Sequence, residues 1–178
     1  MNQLLSLAGL PGVGKSTISM AISKKLEARI VDIDDFKKSD VDPILLKGQI
    51  DPPEVRWNYY QKALGYVFGL FDEGTSTVIM DEVFHLNSLR LQVEVLCKGH
   101  NVQVLWIEVR CPYDMVEKRL KSIAREGHIL STEETLKMHL MFLEMFEKFP
   151  TCTKNHVVVN NDKQVSMDLL VEGILKKL

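Results

Sequence analysis

The sequence is poor in cysteine and uses it without pattern. Cys97, Cys111 and Cys152 are odd in number and show no C-x-x-C spacing. That argues against a disulfide framework and against structural zinc. A reducing, cytoplasmic setting is expected, with Cys97 and Cys111 as core filler in apolar surroundings. No apolar run approaches the roughly 20 residues of a membrane span. The N-terminus lacks the basic-then-apolar pattern of a secretory signal, so no membrane association is expected. An excess of one charge is also missing. Lys and Arg number 22 against 24 Asp and Glu, a net charge of −2, which disfavours a nucleic-acid or membrane-surface partner. Repeats, low-complexity stretches and an interdomain linker are absent, and nothing marks an oligomeric state. What remains is 178 residues with 46% apolar content, enough for one domain spanning 1–178 with a full core.

The strongest feature present is Gly9-Leu10-Pro11-Gly12-Val13-Gly14-Lys15-Ser16. It fits G-x-x-x-x-G-K-[ST] at every fixed position. Glycines let successive backbone N–H groups turn inward around a phosphate. Lys15 is placed to reach the β- and γ-phosphates, and the Ser16 hydroxyl to ligate Mg²⁺. Thr17 follows in the first turn of a helix whose N-terminal end favours anions. The context agrees, because Leu4 to Ala8 reads as a buried strand and Thr17 to Leu26 as a helix with Ile18, Ile22 and Leu26 on one face.

The rest of the chain alternates strand and helix. Strands are expected at 28–33, 75–80, 102–109 and 157–159. Helices are expected at 53–72, opened by Pro53 and Glu54; at 86–98; at 112–125; at about 131–149, opened by the Ser131/Glu134 capping box; and at 165–178. Residues 34–53 read as mostly loop with room for a short helix. The strands are continuous apolar runs, which indicates an α/β fold with a parallel sheet covered on both faces. Ligands of such sheets bind at the carboxyl ends of the strands.

Those ends carry acids. Side chains alternate along a strand, so Asp32 and Asp34 are expected to point the same way, into the crevice beside Lys15, with Asp35 opposite or already in the loop. One acid can hold Mg²⁺, and one can accept a proton from an attacking hydroxyl. Asp34 is assigned to the acceptor and Asp32 to the metal. Asp81, with Glu82, ends the apolar strand Val78-Ile79-Met80 and suits metal support. Arg90 follows, either clamping an anionic substrate group or standing as a solvated helix residue. His85 reads as structural or substrate-contacting rather than a metal ligand. Arg119 and Arg125, before Gly127, suit a mobile lid over a γ-phosphate, while Lys118 and Lys121 read as solvated.

Taken together, the loop, the VDIDDF segment from Val31, the VIMDEVFH segment from Val78 with Arg90, and the CPYDMVEKRL segment from Cys111 resemble the small P-loop kinases. The likeness is to the zeta-toxin-like group, which is similar to chloramphenicol phosphotransferase, shikimate kinase and adenylylsulfate kinase. It covers nearly the whole chain. It implies a P-loop NTPase fold: a five-stranded parallel sheet with helices on both faces and a small helical lid at about 119–131. It also implies an acceptor region at about 34–60, and an adenine contact near Val157 to Asn161. By this resemblance Gly9, Gly12, Val13, Gly14, Lys15, Ser16 and Thr17 bind ATP. Ser16, Asp32 and Asp81 would hold Mg²⁺, and Asp34 and Arg90 would meet a small-molecule hydroxyl acceptor. Lys15, Asp34, Arg119 and Arg125 would carry the transfer. The competing readings are an ATP-dependent switch without an acceptor and a nucleic-acid 5′-end kinase. A GTPase is disfavoured because Thr153-Lys154-Asn155 is followed by His156 where a guanine reader has an acid.

Overall fold

Strand β1 (Asn2–Ala8) is buried from Leu4 onward, and its side chains divide between two separate cores. Leu4 and Ala8 enter one; Leu5 and Leu7 enter the other. This two-sided burial is what a continuous apolar run encodes when both faces of a sheet are covered. In the computed structural model of the chain, residues 1–40, 49–122, 131–162 and 164–178 are described.

The elements that follow β1 are α1 (Lys15–Leu26), β2 (Arg29–Asp32), α2 (Ile33–Asp40), α3 (Pro53–Asp72), β3 (Thr77–Asp81) and α4 (Asn87–Gly99). After these come β4 (Val102–Arg110), α5 (Tyr113–Ser122), α6 (Thr132–Met145), β5 (His156–Asn160) and α7 (Met167–Leu175). The five strands form one sheet in the order β2-β3-β1-β4-β5, and each adjacent pair is parallel. On one face α3 and α4 pack through Tyr60, Leu64, Val67, Leu89 and Val93 onto Val78, Met80 and Trp106. On the other, α1, α5 and α7 pack through Ile18, Ile22, Val116 and Val171 onto Ile79, Ile107 and Val109. The α/β architecture read from the sequence is the one observed, including the helix opened at Pro53.

Most element ends shift by one to three residues from expectation, and two of the differences bear on the site. The chain leaves the sheet at Asp32 and enters α2 directly, so Asp34 is a first-turn helix residue and not a strand neighbour of Asp32. The reason is local: Asp32 Oδ1 accepts the Asp34 backbone N–H at 2.9 Å, a side-chain cap that turns the backbone. Helix α6 opens at the Ser131/Glu134 capping box, as read, but ends at Met145, before Phe149. Tertiary contacts take over there. Glu147 N donates to the His85 carbonyl at 2.9 Å, and the Arg90 guanidinium lies 3.9 Å from the Phe149 ring centre.

Candidate active site

The connection from β1 to α1 is the glycine-rich stretch from Gly9 to Ser16. All three of its glycines take positive φ and leave no room for a Cβ. A Cβ on Gly9 would stand 2.5 Å from the Val109 carbonyl oxygen. Gly14 takes φ 99° and sits against the Asn161 amide, so both its backbone and its surroundings exclude a side chain. Asn161 clamps the loop from just beyond β5: its Nδ2 donates to the Val13 carbonyl at 2.8 Å. Val13 is buried in the core, and Ser16 and Thr17 stand exposed in the first turn of α1. The free N–H groups of that turn face the loop mouth, the arrangement that binds phosphate.

Lys15 folds back over the mouth of the loop. Its Nζ donates to the Gly9 carbonyl at 3.0 Å and to the Leu10 carbonyl at 3.3 Å, and it stands 4.0 Å from Asp81 Oδ1. Asp81 ends β3 and is almost fully buried. Its Oδ2 accepts a long bond from Ser19 Oγ at 3.5 Å. Burial raises its pKa, against the Lys15 ammonium and the Ser16 hydroxyl, which favour the charged form. Asp32 is an exposed residue overall, yet its carboxyl faces the cleft. Desolvation there, with Asp81, Glu82 and Asp35 adding repulsion, pushes its pKa to about 6 despite the stabilising Asp34 N–H.

Lys15, Ser16, Asp32, Asp34 and Asp81 line one cleft of about 240 Å³. The sheet order accounts for this, since β2, β3 and β1 are adjacent and their carboxyl ends share a rim. The donor set suits magnesium. That ion retains several waters and takes only one or two carboxylates with a hydroxyl. Carboxyls held up in pKa by burial and mutual repulsion are groups a divalent cation relieves. Among the described residues no group of three or more His, Cys, Asp and Glu makes a self-contained metal cage.

The two expected arginine positions resolve differently. Arg119, in the last turn of α5, lies beside the phosphate loop: its Nη2 donates to the Asn161 carbonyl at 2.7 Å and its Nη1 to Cys111 Sγ at 3.4 Å. Arg125, with most of the expected lid, lies outside the described residues. Arg90 is not among the residues lining the cleft. It is neither a solvated residue nor a cleft clamp: it is 3% exposed, stacks on Phe149, and donates through Nη2 to Asn87 Oδ1 and the Glu147 carbonyl. His85 is also structural in setting. It is buried edge-on to Phe142 at 4.9 Å, and burial with the nearby Arg56 charge lowers its pKa to about 4.

Sequence reasoning missed several residues around the site. Arg56, buried on α3, donates to Glu82 Oε1 at 2.6 Å, and both line the cleft. His139, buried on α6, meets the Pro11 carbonyl at 2.8 Å through Nδ1. A carbonyl only accepts, so Nδ1 carries the proton. Asn161 had only its region marked. None of these has a local motif, because each reaches the site from a distant part of the chain. The sole hint is the i, i+3, i+4, i+7 spacing of Thr135, Met138, His139 and Phe142.

Solved structures share this fold at low sequence identity. A sugar kinase from Janibacter sp. superposes with a TM-score of 0.76 at 18% identity, covering 99% of this chain and 94% of that one. A gluconokinase from Sinorhizobium meliloti 1021 gives 0.68 at 15%, covering 98% and 90%. The Mycobacterium tuberculosis APS kinase CysC, solved in complex with AMPPNP and APS, gives 0.65 at 14%, covering 99% and 96%. The family profile described as adenylylsulphate kinase matches residues 1–134, from β1 into α6. With a match of that extent, the chain belongs to the adenylylsulphate kinase family, among the small P-loop kinases.

Proposed function

We propose that the protein is an ATP- and Mg²⁺-dependent phosphotransferase that moves the γ-phosphoryl group to a hydroxyl of a small molecule. Family membership supports ATP-dependent transfer to a small molecule. The observation that carries the reading is the cleft itself. A phosphate loop with Lys15 and Ser16 shares one rim with Asp32 and Asp81, and Asp34 and α3 wall the space beyond.

In this reading the triphosphate lies on the loop N–H groups and Lys15, with Ser16, Asp32 and Asp81 on the metal side. When bound, Mg²⁺ neutralises charge on the β- and γ-oxygens. Asp34, in the first turn of α2, accepts the proton of the acceptor hydroxyl. The acceptor oxygen bonds to the γ-phosphorus as the bond from that phosphorus to the β-bridging oxygen breaks, and ADP leaves with the electron pair. Lys15 offsets the charge on the departing oxygens, and Arg119, beside the loop, with Arg125 from the lid, complete the cationic shell. Asp34→Asn is expected to lower acceptor phosphorylation by about 10²–10⁴-fold while leaving ATP binding within about threefold. ADP formation with and without acceptor, together with nucleotide titration, measures both. An unchanged rate in that variant would remove Asp34 from the proton-acceptor role. ADP formation that no acceptor stimulates would favour an ATP-hydrolysing switch.

A further inference from the structure

The phosphate loop is held in shape by side chains that grip its carbonyl oxygens. Lys15 Nζ meets those of Gly9 and Leu10, His139 Nδ1 meets that of Pro11, and Asn161 Nδ2 meets that of Val13. The backbone bond across the loop, from the Val13 N–H to the Leu10 carbonyl, is long at 3.4 Å. It is the weaker restraint.

Of these grips, the one from Asn161 bears most directly on a bound anion. In a trans peptide the C=O and N–H point in opposite directions. Holding the Val13 carbonyl toward Asn161 therefore turns the Gly14 N–H away from it. Asn161 is anchored in its turn. Its backbone N–H donates to the Arg110 carbonyl at 2.7 Å, one bond past the last paired residues of β4 and β5. Its carbonyl accepts Arg119 Nη2 at 2.7 Å. The approach to the loop is close, since a Cβ on Gly14 would stand 2.3 Å from Asn161 Nδ2. One residue thus ties the sheet, the loop and Arg119 together.

We propose that Asn161 is a positioning residue for the triphosphate: its side-chain amide sets the Val13–Gly14 peptide so that the Gly14 N–H faces the phosphates. The inference rests on the reading of the loop as an ATP site and is independent of the acceptor. It parts from the resemblance, which implies an adenine contact near Val157 to Asn161. The Nδ2, backbone N–H and carbonyl of Asn161 all have protein partners, and two of those partners, Val13 and Arg119, lie on or beside the loop.

The test is calorimetric binding to the full chain, in Mg²⁺ buffer, of two probes. One is ATP. The other is tripolyphosphate, which carries the phosphate tail without base or ribose. Asn161→Ala removes the amide and keeps the backbone carbonyl for Arg119. It is expected to weaken both probes by the same factor, about five- to tenfold, the size of one hydrogen bond. A thermal melt confirms that the variant is folded. Asn161→Asp keeps the size and sets an acceptor against the Val13 carbonyl, so it should weaken both probes at least as much; a residue that only filled space would tolerate it. Loss of ATP affinity with tripolyphosphate unchanged gives Asn161 to the base and overturns the proposal. Unchanged affinities for both probes overturn it as well. So does a wild-type chain that holds ATP but not tripolyphosphate, because the binding then resides outside the loop. A wild-type chain that binds neither overturns the ATP reading, and the proposal with it.

Discussion

Asp32 shows how much a single carboxyl can be asked to do. One of its oxygens caps α2 through the Asp34 N–H, and the group also feels the Asp81 carboxylate across the side of the cleft proposed for magnesium. Its pKa of about 6 has a definite sign. The folded chain holds this proton more tightly than the unfolded one. The carboxyl therefore favours folding below its ordinary pKa, and that contribution is lost as pH rises from about 4 to about 6. In its proposed metal role the dependence runs the other way, since magnesium needs the ionised form. Half-saturating Mg²⁺ is expected to rise about fourfold between pH 7.5 and pH 5.5, and the step should vanish in Asp32→Asn. A magnesium titration of ADP formation at both pH values checks this, and a step retained in the variant would take Asp32 out of the metal site. At this scale the sequence was legible wherever chemistry fixes spacing. Lys15, Ser16 and the loop glycines follow from a pattern. The direction taken after Asp32 does not, because alternating acids suit a continuing strand and a helix cap equally.

Among the elements, α6 joins the far wall of the cleft to the phosphate loop. Its capping box was readable as a motif and is formed, with Ser131 Oγ accepting from Glu134 N at 3.2 Å and Glu134 Oε2 accepting from Ser131 N at 2.8 Å. Its inner face was less readable, because a histidine among apolar residues carries no address. That face sends Met138 and Phe142 into the cleft and His139 onto Pro11. Burial and the nearby Lys15 charge lower the His139 pKa against the favourable Pro11 carbonyl. The contribution of this neutral ring to stability is thus present above the ordinary histidine pKa and is lost as pH falls through it. His139→Ala is expected to raise the KM for ATP about three- to tenfold, the size of one hydrogen bond. His139→Asn, which keeps a donor near the Nδ1 position, should recover part of it. Steady-state kinetics at saturating acceptor read the effect, and an unchanged KM would mean that the loop holds its shape without α6.

The whole molecule separates a working rim from a braced periphery. Alternating strands and helices with apolar strand runs announced the parallel sheet. The order β2-β3-β1-β4-β5 was not spelled out, because no residue pattern names a strand's neighbour; the resemblance implied the number and direction of the strands but not their order. Arg90 belongs to the bracing. It ties α4 to the segment after α6 through Asn87, Glu147 and Phe149. A helix-face arginine looks the same in sequence whether it clamps a substrate or an aromatic ring. Arg90→Ala is expected to cost about 2–4 kcal/mol of stability in a denaturant melt and to leave the KM for ATP and acceptor within about twofold. A selective loss of acceptor affinity would return it to substrate recognition.

The two tryptophans pack on the same core but in different surroundings. Trp106 is buried in β4, between Phe84 at 5.0 Å and Phe149 at 5.8 Å, with its indole N–H on Glu94. Trp57 is half-buried on α3, its ring 6.5 Å from Tyr60. The chain thus carries two built-in fluorophores. With Trp57→Phe the remaining emission reports the melting of the sheet, and with Trp106→Phe it reports the surroundings of α3 beside Tyr60, a residue of the cleft wall, so the two regions can be followed optically in separate samples without a dye.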